Sequence, residues 1–137
     1  MFLIIFQQHY HFFTAKLPQR LNTSILTDTM PKCRRGKIVE NNVAKRYMRV
    51  RFDVFVRKIV KGVGEFDILA KKGRKLLAVE VKHSNRGRLI TSGDVKRLIE
   101  KARRIEAKPI LTLSGRSKLS YPGKKLARRC GVKIERL

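Results

Sequence analysis

The stretch that most constrains the fold is Gly62–Lys82, which reads as two β-strands joined by a tight turn. Apolar and polar residues alternate in both halves, as they do in strands whose side chains point to opposite faces of a sheet. Phe66, Ile68 and Ala70 are expected to share one face. Gly73 lies in the basic connection and can adopt the positive φ of a short turn. The pattern predicts an antiparallel hairpin.

Three ionisable residues interrupt these apolar runs, namely Asp67, Glu80 and Lys82. If Lys72–Gly73 is the two-residue loop, Asp67 lies opposite Ala78, and the alternation places all three ionisable side chains on one face. The two acids are then diagonal neighbours, roughly 7–8 Å apart at Cα. The hairpin therefore brings two carboxylates and an ammonium group together.

This arrangement fits metal-assisted hydrolysis. Two neighbouring carboxylates repel each other unless a cation lies between them, and Mg²⁺ prefers carboxylate oxygen. A metal-bound water is acidic enough to attack a phosphodiester, and Lys82 can orient that water or offset charge on the phosphate. An ion pair of Glu80, with Lys82 or with a neighbour, on a solvent-exposed face would explain the same triplet without a metal.

The charge of the chain points to a polyanionic partner. The 137 residues include 34 lysines and arginines against 10 acids, a formal net charge of +24. Nucleic acid is the commonest partner of so basic a protein. Ribosomal and membrane-surface proteins are equally basic, but ribosomal proteins seldom place three ionisable groups within apolar strands.

The length predicts one domain, and periodicity predicts the order α-β-β-β-α-β-α-β. Thr91-Ser-Gly-Asp94 is a capping signature that opens a helix ending near Ala107. The other expected elements are a first helix, a first strand, a core strand, a short helix and a last strand: Gly36–Arg49, Val50–Val60, Ile110–Leu113, Lys124–Cys130 and Val132–Ile134. Asp53 is a rival acid that is expected to pair with a basic neighbour.

Two motifs carry a resemblance to known nucleases. Gly-Glu-Phe-Asp67-Ile followed by Val-Glu80-Val-Lys82 resembles the core motif of the PD-(D/E)xK nuclease superfamily. Upstream, Arg35–Asn41 resembles the opening of archaeal Holliday junction resolvases, in which an early glutamate of the first helix completes the metal site. By that match, Glu40 is the third acid.

The resemblance covers roughly residues 34–114 and implies a fold and an activity. The implied fold is α/β, a restriction-endonuclease-like core with a mixed central sheet flanked by helices. The implied activity is Mg²⁺-dependent cleavage of DNA, with Mn²⁺ able to substitute, and the resolution of four-way junctions. Phe66 replaces the proline of the motif, and the tail after Ser114 lacks the aromatic closing strand of a junction resolvase.

The resemblance also implies a set of site residues and a homodimer. Glu40, Asp67 and Glu80 are the implied metal ligands, and Lys82 completes the catalytic set. The alternatives are another repair or restriction-like nuclease, and a basic DNA-binding protein in which the acids are structural. No small-molecule cofactor and no membrane partner are expected.

Basic residues flanking the motifs are expected to contact DNA phosphates, which gives affinity without sequence information. They are Arg35, Lys61, Arg86, Arg88, Arg116 and Lys118. Aromatic residues are scarce after Met30, which favours duplex or branched DNA over single strands.

Residues 1–29 differ from the rest in composition, with all three glutamines and only two basic residues. We expect them to be an extension outside a nuclease domain that spans residues 30–137, a mobile arm being the alternative. They show no signal-peptide pattern, so a cytoplasmic location is expected. Cys33 and Cys130 lack metal-site spacing and are expected to be unrelated rather than paired.

Overall fold

The computed structural model describes residues 32–137, with side chains from Arg35 onward. Its helices are α1 (Lys32–Arg49), α2 (Ser92–Arg104) and α3 (Tyr121–Arg129). Its strands are β1 (Asp53–Val60), β2 (Gly64–Lys72), β3 (Lys75–Ser84), β4 (Leu89–Ile90), β5 (Lys108–Gly115), β6 (Lys118–Leu119) and β7 (Lys133–Arg136). The predictions for residues 1–29 and for the Cys33 side chain concern residues that lie outside the described part of the chain. Within the described part, Cys130 forms no disulfide.

Five strands form a mixed sheet in the order β1-β2-β3-β5-β7. The first three are antiparallel neighbours, whereas β5 runs parallel to β3 and β7 runs parallel to β5. Parallel neighbours need a crossover connection, which α2 and α3 supply. One face of the sheet packs against Val43 and Ala44 of α1, and the other packs against Leu98 and Ala102 of α2. The predicted mixed central sheet flanked by helices is confirmed.

The β2–β3 hairpin has a different register from the expected one. Lys72 pairs with Lys75, so Gly73 and Arg74 form the loop. Gly73 has a φ of 57°, and a glycine in the first loop position is typical of type II′ turns. The expected loop would have placed Lys72 in that position, where a side chain strains a positive φ. The true register is shifted by two residues, which leaves the side-chain faces unchanged.

The β1–β2 hairpin changes its packing face at Arg57 and Asp67. Val56 and Ile68 pack in the cluster under α1, whereas Phe66 packs with residues of α2. Arg57 has a φ of 50°, a left-handed conformation that costs a non-glycine residue on the order of 1–3 kcal/mol. The expectation that Phe66 shares a face with Ile68 is therefore wrong, because the chain twists between them.

The start of α2 is capped as the sequence predicts. The Thr91 side chain accepts from the backbone N–H of Asp94, and the Asp94 carboxylate accepts from the backbone N–H of Thr91. The short strands β4 and β6 were not predicted, since two-residue strands carry no periodic signal. No helix within residues 32–137 is long and apolar enough to cross a membrane.

Candidate active site

Asp67 lies where the pairing between β2 and β3 stops. Ile68 and Val79 form the last pair in that direction, so the register extended by one residue sets Asp67 opposite Glu80. Oδ2 of Asp67 accepts a hydrogen bond of 2.8 Å from the backbone N–H of Val81. This bond holds the carboxylate against β3 beside Glu80. The two acids are therefore closer in register than the diagonal arrangement expected from the sequence.

The surroundings of Asp67 disfavour its charged form. Partial burial is the largest cause, followed by the negative charge of Glu80, and together they raise the pKa of Asp67 to about 6. The charge of Glu40 adds to the rise, whereas the Val81 N–H and the Lys82 ammonium oppose it. A carboxyl group whose pKa is raised by two neighbouring acids lies in a place where a cation would be stabilised.

We expect the metal-free protein to lose stability as the pH rises through about 6. The pKa of Asp67 is higher in the folded protein than its ordinary value of 3.8, so the folded state holds the proton more tightly. The resulting stabilisation is complete below about pH 4 and is lost above about pH 6. Asp67→Asn keeps an acceptor for the Val81 N–H but removes the charge. This variant should be more stable than the wild type at about pH 8, by roughly 1–3 kcal/mol.

Urea denaturation in the presence of a chelator, at about pH 5 and about pH 8, measures this difference. Asp53→Asn removes an exposed carboxylate from β1 and is the control for the loss of one negative charge. An Asp67→Asn protein that is less stable than the wild type at the higher pH would show that the carboxylate is favourably placed when charged.

Two lysines bracket the Glu80 carboxylate. Nζ of Lys82 lies 2.6 Å from Oε1, and Nζ of Lys101, on α2, lies 3.8 Å from Oε2. The side chains of Glu80 and Lys82 are only 19% and 21% exposed. The ion pair that the sequence offered as an alternative to a metal site is therefore present, and it is partly buried.

Glu40 reaches the same region from α1. Its Oε2 accepts a hydrogen bond of 3.2 Å from Nη1 of Arg57. Burial is the main cause that raises the pKa of Glu40, the negative charge of Glu65 adds to it, and Arg57 opposes it. Because Glu40 also raises the pKa of Asp67, the two acids are within electrostatic reach of each other.

The three acids are not gathered into a metal cage. In the part of the chain that the structure describes, no three histidine, cysteine, aspartate or glutamate side chains are close enough to hold a metal ion. Glu40 is paired with Arg57, and Glu80 is paired with Lys82. Binding of one ion by Glu40, Asp67 and Glu80 would require these partners to be exchanged. The donor set itself suits a hard divalent cation, since such ions prefer carboxylate oxygen.

Four of the six predicted DNA-binding residues lie on two loops that are hydrogen-bonded together. The backbone N–H groups of Arg86 and Arg88 donate to Oγ of Ser84. The N–H of Arg116 donates to the Ser84 carbonyl, and the N–H of Lys118 donates to the Arg88 carbonyl. The side chains of Arg86, Arg88, Arg116 and Lys118 are exposed. These loops, residues 84–88 and 115–118, follow the carboxyl ends of β3 and β5 and form the basic rim.

The other two predicted DNA-binding residues lie on separate elements. Arg35 is exposed in α1, and Lys61 is exposed in the turn between β1 and β2. That turn is at the end of the sheet where β3 finishes, because β2 and β3 are antiparallel.

Sequence reasoning missed two cations of the site. Arg57 lies in an alternating strand pattern, and its contact with Glu40 depends on how α1 crosses the sheet. Lys101 lies between the apolar positions of α2, a pattern that is typical of a solvent-exposed residue. Its contact with Glu80 is tertiary and leaves no sequence signal.

Solved structures with a similar fold include a repair endonuclease, a complex with double-stranded DNA and a protein of unknown function. A repair endonuclease from Pyrococcus abyssi matches with a TM-score of 0.57 and 15% identity, over 81% of this chain and 49% of that one. An EndoMS–double-stranded DNA complex matches with a TM-score of 0.56 and 18% identity, over 86% and 48%. The protein of unknown function matches with a TM-score of 0.63 and 18% identity, over 72% and 56%. This chain thus spans about half the length of these proteins.

The sheet order and these likenesses define a restriction-endonuclease-like fold, as predicted. A family model described as archaeal Holliday junction resolvase matches residues 31–134. The chain belongs to the archaeal Holliday junction resolvase family. Among curated proteins, none matches this sequence.

Proposed function

We propose that this protein is a divalent-metal-dependent DNA endonuclease that resolves four-way junctions, with Mg²⁺ as the expected ion and Mn²⁺ as a substitute. The observation that carries the proposal is the position of Asp67 and Glu80 at the end of the β2–β3 ladder, with Lys82 against Glu80. Membership of the resolvase family supports it.

Each side chain of the site has a role in this proposal. Asp67, Glu80 and Glu40 would hold the metal ion, which when bound supplies a water acidic enough to attack a phosphodiester. Lys82 contacts Glu80 and carries a positive charge beside the acids, where it can offset negative charge that develops on the phosphate. Arg57 donates a hydrogen bond to Glu40, which restrains this carboxylate in the metal-free protein.

The basic rim would hold the DNA backbone next to the acids. Its loops follow β3, the strand that carries Glu80 and Lys82, and its four side chains are exposed. We include Arg35 and Lys61 in the binding surface because both are exposed and basic. Phosphate contacts of this kind position the nucleic acid without reading its sequence.

We also propose that the active form is a homodimer. Resolution of a four-way junction requires two nicks in opposed strands, and residues 32–137 contain one candidate site, at Asp67 and Glu80. A two-fold dimer would present two such sites related by symmetry, as a junction presents two equivalent strands. Sedimentation of the protein with and without junction DNA tests this stoichiometry.

Binding affinity should fall steeply with salt. Each phosphate contact contributes a slope of about −0.9 to log K against log salt concentration on duplex DNA. Arg86→Ala combined with Arg88→Ala should flatten that slope by about one or two contacts and weaken junction and duplex binding together. A junction resolvase should keep its preference for the junction as salt rises, since shape complementarity is not screened. Titrations of a four-way junction and a duplex of equal length at several salt concentrations measure both effects.

The matched control is Arg74→Ala combined with Lys108→Ala. Both side chains are exposed, and they lie at the opposite end of the sheet, in the β2–β3 loop and at the start of β5. This control removes the same charge and should leave the slope nearly unchanged. A junction preference that is absent at every salt concentration would contradict the resolvase assignment and leave a general nuclease or a DNA-binding protein.

A further inference from the structure

Lys101 makes three contacts that join α2 to the candidate site. Its Nζ lies 3.8 Å from Oε2 of Glu80 and donates a hydrogen bond of 2.5 Å to the backbone carbonyl of Glu65. The same ammonium lies 4.8 Å from the centre of the Phe66 ring. A carboxylate, a carbonyl and the face of an aromatic ring are each favourable partners for a cation. These three contacts therefore fix the position of the Lys101 ammonium group.

The other basic residues on α2 differ from Lys101 in exposure. The Lys101 side chain is 27% exposed, whereas those of Lys96 and Arg97 are 71% and 70% exposed. A partly buried ammonium is costly unless it is paired, and surface lysines gain little from their ion pairs. Among the ion pairs of this helix, the one between Lys101 and Glu80 thus differs in that its basic side chain is largely shielded from solvent.

Glu80 is held on both oxygens by the two lysines. Lys82 contacts Oε1 from the same strand, and Lys101 approaches Oε2 from α2. Two cations on different oxygens restrict rotation of the carboxylate. Lys101 also binds the backbone carbonyl of Glu65, which lies near the start of β2, two residues before Asp67. Lys101 therefore links the Glu80 carboxylate to β2.

We propose that Lys101 is a positioning residue that orients Glu80 for metal binding and competes with the metal ion for Oε2. This inference rests on the proposed function of Glu80 as a metal ligand. The positive charge of Lys101 lowers the affinity of the site for a divalent cation. Its contact with Glu80, together with that of Lys82, limits the rotation of the carboxylate. Lys101 therefore sets the metal concentration at which the site fills.

The test is Mn²⁺ binding to the DNA-free protein, followed by electron paramagnetic resonance. Lys101→Met removes the charge but keeps a long apolar side chain over Phe66. We expect Lys101→Met to bind Mn²⁺ about three- to tenfold more tightly than the wild type, because one repelling charge near the site is lost. Its turnover on DNA at saturating metal should nevertheless fall several-fold, because Glu80 loses one orienting contact. Lys101→Arg should restore the wild-type affinity.

Two controls separate this effect from others. Lys96→Met removes an exposed charge from the same helix, and Arg104→Met removes a side chain that donates to the Gly62 carbonyl but contacts no carboxylate. Both should leave Mn²⁺ affinity unchanged. Thermal denaturation of each variant verifies that it is folded.

The outcomes distinguish this inference from the proposed function. An unchanged Mn²⁺ affinity in Lys101→Met, or equal shifts in the two controls, would overturn the role of Lys101 while leaving the nuclease assignment in place. Tighter Mn²⁺ binding by Lys101→Met than by the wild type would support the role of Lys101. If the wild type nevertheless cut no DNA, the nuclease assignment would be overturned. Absence of Mn²⁺ binding by the wild type would overturn the role of Lys101, and cleavage of DNA by the same protein would then decide the nuclease assignment separately.

Discussion

Asp67→Asn and Glu80→Gln are each expected to reduce DNA cleavage by at least about 10²–10³-fold. Both substitutions keep the shape of the side chain and remove a carboxylate that would bind the metal ion. The loss should appear in turnover, since the basic rim, and not these acids, is proposed to contact the DNA phosphates. Binding should persist or tighten, because a negative charge facing the phosphates is removed. Single-turnover cleavage and binding titrations on the same DNA measure the two effects.

Matched controls exist for both acids. Asp53→Asn removes an exposed acid from β1, and Glu100→Gln removes an exposed acid of α2 that lies 3.9 Å from Lys96. Neither should change turnover by more than about twofold, because neither contacts the site. Lys82→Ala should lose most turnover, with a smaller change in metal affinity. Full Mg²⁺-dependent activity in both Asp67→Asn and Glu80→Gln would show that the chemistry occurs elsewhere.

Gly115→Ala is expected to destabilise the fold by about 2–4 kcal/mol. Gly115 has a φ of 64°, and a Cβ at this position would lie 2.6 Å from the backbone carbonyl oxygen of Ser84. That oxygen is the acceptor for the N–H of Arg116, so the clash falls on the contact that joins the two basic loops. The variant should also bind DNA more weakly. Urea denaturation and binding titrations measure the two losses.

Gly131→Ala separates the clash from the backbone strain. Gly131 has a φ of 68°, but an added Cβ there would have no neighbour within 4 Å. Its cost should be only about 1 kcal/mol, the usual penalty for a side chain at positive φ. Equal losses in the two variants would show that the carbonyl of Ser84 moves aside without cost.

The central hairpin was predictable because its signals are local. Alternating residues define β2 and β3, and the capping residues Thr91 and Asp94 define the start of α2. The resemblance of the motif residues to a nuclease family agrees with the fold and with the family match. The predicted faces of the side chains around Glu80 are correct although the predicted register is wrong, since a shift of two residues preserves the alternation.

The remaining features depend on tertiary structure. The twist at Arg57 moves Phe66 to the other face of the sheet. The alternation of residues in the sequence does not reveal where a strand twists in this way. The contacts of Glu40 with Arg57 and of Glu80 with Lys101 join elements that are distant in the sequence. The assignment of Glu40, Asp67 and Glu80 as metal ligands stays a prediction.

The most direct measurement is cleavage of a set of labelled DNAs of equal length by the wild-type protein. The set is a four-way junction, a flap, a duplex and a single strand, each with Mg²⁺ and with a chelator. We expect paired nicks in opposed strands of the junction, only in the presence of the metal, and much slower cleavage of the other DNAs. Equal cleavage of junction and duplex would contradict the resolvase assignment, and absence of cleavage of every DNA in Mg²⁺ and Mn²⁺ would contradict the nuclease assignment itself.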